Sequence, residues 1–266
     1  MLITSAAAAY PQEKDALTLQ SSMVGWGIGK VYDTYLSPLD YSGKNVAVYS
    51  EQLKATGMAS GKIIAQTQYS INYSWSKNKA ETASYYTGLF DYNYGMFYKF
   101  SPAPKLRIFA GTQAGCLLGF IYNNRNGNNP AAGKFHLNLN LSAIASYEMK
   151  IKSLPLRFGY QISLPFAGIM YSPDFGQSYY EISLGDDSQL AYLSSFHNYL
   201  AVKNILTVDV PLKSFTLKLG YVHSYYETQI NSLDSRISSG TFCVGVAKNF
   251  LIVPTKKIKN YRYVFE

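Results

Sequence analysis

Between Lys105 and Glu148 the chain sorts its residues by parity. Leu106, Ile108, Ala110, Thr112, Ala114, Cys116, Leu118 and Phe120 fall on one side, and Lys105, Arg107, Gly111, Gln113, Gly115 and Gly119 on the other. Leu137, Leu139, Leu141, Ala143, Ala145 and Tyr147 likewise alternate with His136, Asn138, Asn140, Ser142, Ser146 and Glu148. Side chains along a strand point to opposite faces with period two. The pattern therefore predicts two long antiparallel strands, each with one apolar face and one face of small and polar groups. The Asn-, Gly- and Pro-containing stretch 123–130 between them has turn chemistry.

The same sorting recurs along the chain. Weak alternation over 17–29 predicts a first strand, and a second follows at 44–55. Ile63, Ala65, Thr67, Tyr69, Ile71, Tyr73 and Trp75 oppose Gln66, Gln68, Ser70, Asn72, Ser74 and Ser76. Tyr86, Phe90, Tyr92, Tyr94, Met96, Tyr98 and Phe100 oppose Thr87, Asp91, Asn93, Gly95 and Lys99. Leu154, Leu156, Phe158, Tyr160, Ile162 and Leu164 oppose Arg157, Gly159, Gln161 and Ser163, until Pro165 breaks the pattern. Further strands are predicted around Leu200–Val210, Phe215–Ser224 and Phe242–Phe250. A soluble sheet with one wet face alternates too, but its strands average ~5–6 residues. Strands that cross a bilayer need ~9–11, and these runs exceed that length. The fold class expected is all-β, an antiparallel up-and-down transmembrane β-barrel of about ten strands, with an even number as in bacterial single-chain barrels.

Turn lengths sharpen that expectation. Short turns are predicted near 56–61, 101–104, 151–153 and 211–213. Longer loops are predicted near 30–43, 77–82, 123–133, 172–196 and 229–236. Alternation of the two classes is the signature of short periplasmic turns and longer extracellular loops.

Composition agrees with a barrel. The chain of 266 residues carries 25 Tyr and 14 Phe, and only 15% of it is charged. Soluble domains average ~25% charged residues, whereas aromatic girdles mark both interfaces of a membrane barrel. No apolar run reaches the ~18 residues of a transmembrane helix. The net charge of +8 does not indicate nucleic acid, because Lys and Arg are scattered rather than gathered on one face. Instead Asp91, Lys99, Lys105, Arg107, Glu148, Arg157, Lys203, Asp209 and Lys218 all take the inward parity. A basic side chain facing mid-bilayer lipid would cost ~2–4 kcal/mol. Lys248 departs from the rule. It lies near a strand end where a long side chain can snorkel, and a register shift at a bulge is the other explanation. Cys116 and Cys243 read as small apolar residues.

Asp33-Thr34-Tyr35-Leu36-Ser37-Pro38-Leu39-Asp40-Tyr41-Ser42-Gly43 and the Tyr-rich hairpins after it carry a resemblance. The chain resembles a group of small outer-membrane β-barrel proteins, common in Bacteroidota, whose function is unassigned. The resemblance implies a barrel in a Gram-negative outer membrane and supplies no catalytic residues. Three regions are expected: a remnant of a secretory signal at 1–10, a barrel at 11–252, and a segment at 253–266 that is a basic and aromatic periplasmic tail or an extra strand. The tail is the preferred form.

Candidate chemistry is sparse. Gly25, Gly27 and Gly29 have spacing like a nucleotide loop, but no helix follows, so strand curvature or close approach is the simpler reading. His223 and Ser224 are adjacent, so a strand sends them to opposite faces. His136 and Glu148 stand too far apart on one strand, and His197 and Asp186-Asp187 fall in or beside a loop. No metal-binding or nucleophile-elbow motif is present in the sequence. No cofactor and no metal are expected.

Asp91, Arg107, Glu148, Arg157, Lys203, Asp209 and Lys218 form a candidate lumen charge network. The expected pairs are Arg107 or Arg157 with Glu148, and Lys203 or Lys218 with Asp91 or Asp209. Buried charges need partners, and barrels of ~8 strands are filled by side chains. The expected function is that of a non-enzymatic structural or accessory outer-membrane barrel. It would contact outer-membrane lipid and dock onto envelope proteins through loop 172–196 and the C-terminal tail. A small pore for a hydrophobic or small polar solute is the alternative, and a barrel lipid hydrolase or protease is a third class.

Overall fold

A computed structural model describes residues 17–127, 129–152, 154–185, 189–212 and 214–251. Its strands are β1 Leu17–Asp33, β2 Ser37–Ala55, β3 Ile63–Asn78, β4 Ser84–Ala103, β5 Leu106–Asn123 and β6 Ala131–Ile151. β7 Leu154–Tyr171, β8 Ala191–Ser195, β9 Tyr199–Pro211, β10 Thr216–Ile230 and β11 Leu233–Leu251 complete the set. One short helix, α1 Tyr179–Ser183, precedes β8. All pairings are antiparallel, and the β1–β11 and β7–β9 ladders close the sheet into a ring. β8 pairs with the last five residues of β7, and β9 takes over from Ser163 downward. The two therefore make one stave, interrupted at 196–198, and the wall is a closed barrel of 10 strands. The described chain starts and finishes at one end, here the near end. Turns 34–36, 79–83, 124–130, 172–190 and 231–232 lie at the far end.

Period two holds wherever the sequence sorted cleanly. Tyr86, Phe90, Tyr92, Tyr94, Met96 and Tyr98 of β4 are exposed outside, and Thr87, Asp91, Asn93 and Phe97 are buried inside. Lys248 is exposed on the outer face, and the β1–β11 ladder runs through it without a bulge. A register shift is therefore not the explanation. Lys105 corrects its expectation, because it is exposed in the near-end turn and not inside.

The expected loops are corrected in three places. First, 30–43 is mostly ladder: β1 runs to Asp33 and β2 begins at Ser37. Second, 229–236 shrinks to a tight turn at Asn231 and Ser232, whose φ values of 54° and 57° are the left-handed pair such hairpin turns require. The alternation of short and long connections therefore fails at the far end. Polar composition misled there, because the exposed face of a strand carries polar residues as readily as a loop does. Third, Pro165 does not end its strand. Asn140 pairs with Pro165 and Leu139 with Ala167, so Phe166 is an extra residue. That bulge inverts the parity, sending Met170 inside at 1% exposure and Ile169 outside at 45%.

The ring closes tightly at its β1–β11 seam. A Cβ on Gly27 would lie 1.8 Å from the Gly240 carbonyl oxygen, a backbone atom that cannot swing aside. Gly27→Ala is expected to destabilise the barrel by ~1–3 kcal/mol or more. Loss of heat-resistant migration of the unboiled protein on a gel, at temperatures the wild type survives, checks this.

The interior is not uniformly polar, which corrects the simple two-face picture. Leu53, Ile64, Phe97, Phe109 and Ile144 form a buried apolar layer at the near end. Val31, Tyr41, Tyr85, Leu117 and Ile121 form another at the far end. Between them lie polar side chains and a third apolar cluster of Met23, Ala47, Tyr49, Val222 and Cys243. The signal expected at 1–10 and the segment 253–266 lie outside the described residues.

Candidate functional site

The middle of the lumen is crossed by amides and hydroxyls from β3, β5, β6 and β7. Gln66 Nε2 donates to Gln161 Oε1 at 3.0 Å, and Gln66 Oε1 accepts from Gln113 Nε2 at 2.9 Å. Ser163 Oγ donates to Gln113 Oε1 at 3.1 Å, and Gln161 Nε2 donates to Ser142 Oγ at 3.1 Å. Gln66, Gln113 and Gln161 are each buried. Unpaired amides there would be costly, and mutual pairing removes that cost without water.

The seven charges expected as one network divide into three groups. Asp91 and Lys203 form a buried pair, Nζ to Oδ2 at 2.6 Å, with both side chains 10% exposed. Tyr226 OH donates to the same oxygen at 3.3 Å, and Asn93 Nδ2 donates to Oδ1 at 2.7 Å. Asn93 Oδ1 in turn accepts from Asn140 Nδ2 at 2.9 Å. They meet because Gly115 lies bare between them: a Cβ there would come within 2.8 Å of both side chains. The second group joins Lys218 to Asp209 at 3.4 Å and to Glu51 at 3.9 Å. At 3.4 Å the Asp209 contact is a charge pair without hydrogen-bond geometry, since its Oδ1 accepts none. The third group lies at the near-end rim, where Glu148 Oε1 accepts from Arg107 at 3.0 Å and Arg157 at 3.3 Å.

Exposure separates the rim from the interior. The Glu148 side chain is 39% exposed, so solvent screens its pairs. Arg107→Ala is expected to change stability by less than about 1 kcal/mol. A shift of the denaturant midpoint well beyond that would show the rim pair to be structural.

A fourth charged pair was not anticipated. Asp33 is 1% exposed and accepts from Lys134 Nζ at 2.6 Å, Ser235 Oγ at 2.8 Å and the Tyr35 backbone at 3.1 Å. Both Asp33 and Lys134 sit in segments whose polar composition resembled loops. Glu51 was also missed, because β2 has aliphatic residues on both faces. The one available signal was its parity, shared with Asn45 and Tyr49.

Residues 172–185 fold over the far end. Tyr35 OH donates to the Gln177 carbonyl at 2.7 Å, Gly133 N donates to Tyr179 OH at 2.6 Å, and Asn231 Nδ2 donates to the Pro173 carbonyl at 3.2 Å. Burial pushes the Tyr35 phenol up to about 12, so it remains a donor across ordinary pH. Ser178 caps α1 in a capping box with Glu181. Beneath the cap, Tyr41 and Tyr85 stack at 3.6 Å between centroids and 8° between planes. The block 33–43 thus builds both the far-end layer and the seat of the cap.

The remaining space is small. A cavity beside Asp91, Asn140 and Lys203 holds about 30 Å³, and one beside Glu51 and Lys218 a similar volume. Each is room for a water or two.

His223 and Ser224 point to opposite faces, as their adjacency on a strand predicts: Ser224 is buried inside at 3%, and His223 lies on the opposite parity. Ser195 Oγ meets His197 Nδ1 at 2.5 Å within the 196–198 turn, in an exposed local contact. Among the described residues no cluster of three or more His, Cys, Asp or Glu could hold a metal.

The chain belongs to the family described as protein of unknown function (DUF3316), whose model matches residues 1–257. No curated protein matches it in sequence. Among solved structures it is similar to the outer membrane protease OmpT of Escherichia coli, at 9% identity over 92% of this chain and 99% of that chain, with a TM-score of 0.47. It is similar to the transport unit of the autotransporter AIDA-I of Escherichia coli, at 8% identity over 92% and 93%, with a TM-score of 0.41. It is also similar to a Pseudomonas aeruginosa FadL homologue, at 9% identity over 90% and 91%, with a TM-score of 0.37. These likenesses concern barrel architecture, and no activity is carried across from them.

Proposed function

We propose that this protein is an integral outer-membrane barrel with a sealed lumen, acting as a structural or accessory component of the envelope without a catalytic step. The observation that carries the reading is the double seal. Apolar clusters stand at both ends of the lumen, and between them Gln66, Gln113 and Gln161, and Asp91 with Lys203, pair side chain to side chain. An ion would have to displace Phe97 and Phe109 at one end and the Tyr41–Tyr85 stack at the other. Membrane embedding is supported by the outer surface, where Val24, Trp26, Ile28, Ile71, Phe90, Leu139 and Val246 stand exposed around the ring. Such a surface in water would be an aggregation liability.

Two exposed regions would serve docking. The cap presents Phe175, Tyr180 and Leu184 at 68%, 72% and 69% exposure, beyond the bilayer. The basic segment 253–266 would offer a second contact. Planar-bilayer recording tests the seal. The wild type is expected to give no steady current, and single-channel current would return the lumen to a pore for small solutes. Extraction in mild detergent tests the docking. Envelope proteins are expected to co-purify with the wild type and to be lost from a Phe175→Ser, Tyr180→Ser, Leu184→Ser variant. Recovery of the isolated wild-type barrel would overturn that part.

A further inference from the structure

The outer wall carries an apolar groove of about 510 Å³ that runs over β9. Phe158 and Tyr160 flank it on one side, Tyr221 and Phe242 on the other, with Leu206 and Val208 on its floor. Its volume falls in the ~300–1,000 Å³ range of sites that hold a small molecule. The rest of the lipid-facing wall is apolar too, so the groove alone would say little. The wall just beyond its Leu206 and Tyr221 lining is different.

Asn204 precedes Leu206 by two residues on the same outward face of β9, and His223 is its register partner on β10, two residues beyond Tyr221. Tyr160 OH donates to Asn204 Oδ1 at 2.8 Å. Among the described residues, neither the Asn204 amide nitrogen nor the His223 ring nitrogens hydrogen-bond to the protein. Val202 and Leu206 flank Asn204 on its strand, and Ile162 is its partner on β7. A polar donor in such surroundings has no water to turn to in a bilayer. An unpaired amide N–H beside a ready-made apolar slot matches the chemistry of an acyl ester, with a carbonyl acceptor at one end and a hydrocarbon chain at the other.

We propose that the groove binds one ester-linked membrane lipid, with an acyl chain along Leu206 and Val208 and its ester carbonyl accepting from Asn204 and His223. The site rests on the membrane embedding proposed above, and not on the sealed lumen or the docking.

The test is native mass spectrometry of the full chain, taken into mild detergent from vesicles of diacyl phosphatidylethanolamine and, in parallel, of its dialkyl ether analogue. The wild type is expected to retain one ester lipid per barrel and to prefer it over the ether lipid by at least about tenfold. Asn204→Leu removes the donor, and Leu206→Trp fills the floor. Each is expected to lower retention by about tenfold or more. Leu118→Trp, an outward change on β5, is expected to leave it unchanged. Asn204→Leu places an apolar side chain toward lipid, so the barrel keeps its fold, which heat-resistant gel migration checks. No retained lipid, equal retention in Asn204→Leu and Leu206→Trp, or equal retention of the ether analogue would overturn the site. Vesicle flotation separates the two readings. A barrel that floats but retains nothing overturns the lipid site alone, and a chain that does not float overturns the embedding beneath it.

Discussion

Asp91→Ala is expected to destabilise the barrel by ~3–5 kcal/mol, because it leaves Lys203 charged and buried without its partner. Three donors converge on this carboxylate: Lys203 at 2.6 Å, Tyr226 at 3.3 Å and Asn93 at 2.7 Å. Asp91 and Lys203 are 7% and 8% exposed, so solvent cannot replace the lost interaction as it does at Glu148. The loss is a large share of a typical ~5–15 kcal/mol folding stability. Removing both charges is a different matter. Asp91→Leu with Lys203→Met leaves no orphan ion, and such replacements are often neutral or stabilising. Denaturant midpoints in detergent should therefore show a deep loss for the single change and substantial recovery for the double. A single variant within about 1 kcal/mol of wild type would mean that water reaches the pair.

Cutting one seal is expected to keep the barrel silent, and cutting both is expected to make it conduct. Phe109 and Tyr85 are each 0% exposed and belong to the near-end and far-end layers respectively. Phe109→Ala alone removes a side chain worth ~3–5 kcal/mol of packing and leaves the Tyr41–Tyr85 stack across the lumen. Tyr85→Ala alone leaves Phe97 and Ile64 in place at the near end. The double variant opens both layers onto the paired amides of Gln66, Gln113 and Gln161, which water can enter and loosen. Planar-bilayer recording on heat-resistant, barrel-migrating protein checks the result. Current from either single variant would mean that one layer alone holds the seal, and silence from the double would place the barrier in the amide layer.

Much of the outer wall was readable from the chain because its outward residues are apolar by one shared rule. Tyr86 to Phe100 on β4 and Leu137 to Tyr147 on β6 follow that rule one residue at a time, with no knowledge of their neighbours. Inward residues obey no such rule. Phe97, Phe109, Leu117 and Ile144 are apolar on the polar parity, and the pattern that sorted their strands passed over them. They are apolar because they pack against other inward side chains rather than water, Phe97, Phe109 and Ile144 in the near-end layer and Leu117 in the far-end one. Turn positions were legible at the near end, where the strands stop soon after their apolar runs. At the far end the ladder continues with exposed polar residues such as Lys30, Asp40 and Arg236, which serve a strand as well as a loop.

The sequence by itself therefore determined the class of fold, the outward face of most staves, and the inward placement of all seven candidate charges. Period two and the apolar character of the outward face are local constraints that each strand satisfies alone. Only the tertiary structure decided which inward groups meet. Gln66 and Gln161 are 95 positions apart, and Asp91 and Lys203 are 112 apart. Strand tilt, the bulge at Phe166 and closure of β1 on β11 set their height in the lumen, and none of these is written in the alternation. Asp33 and Lys134, separated by 101 positions, became a buried pair for the same reason. A barrel's contacts across its axis depend on the register of every ladder around the ring.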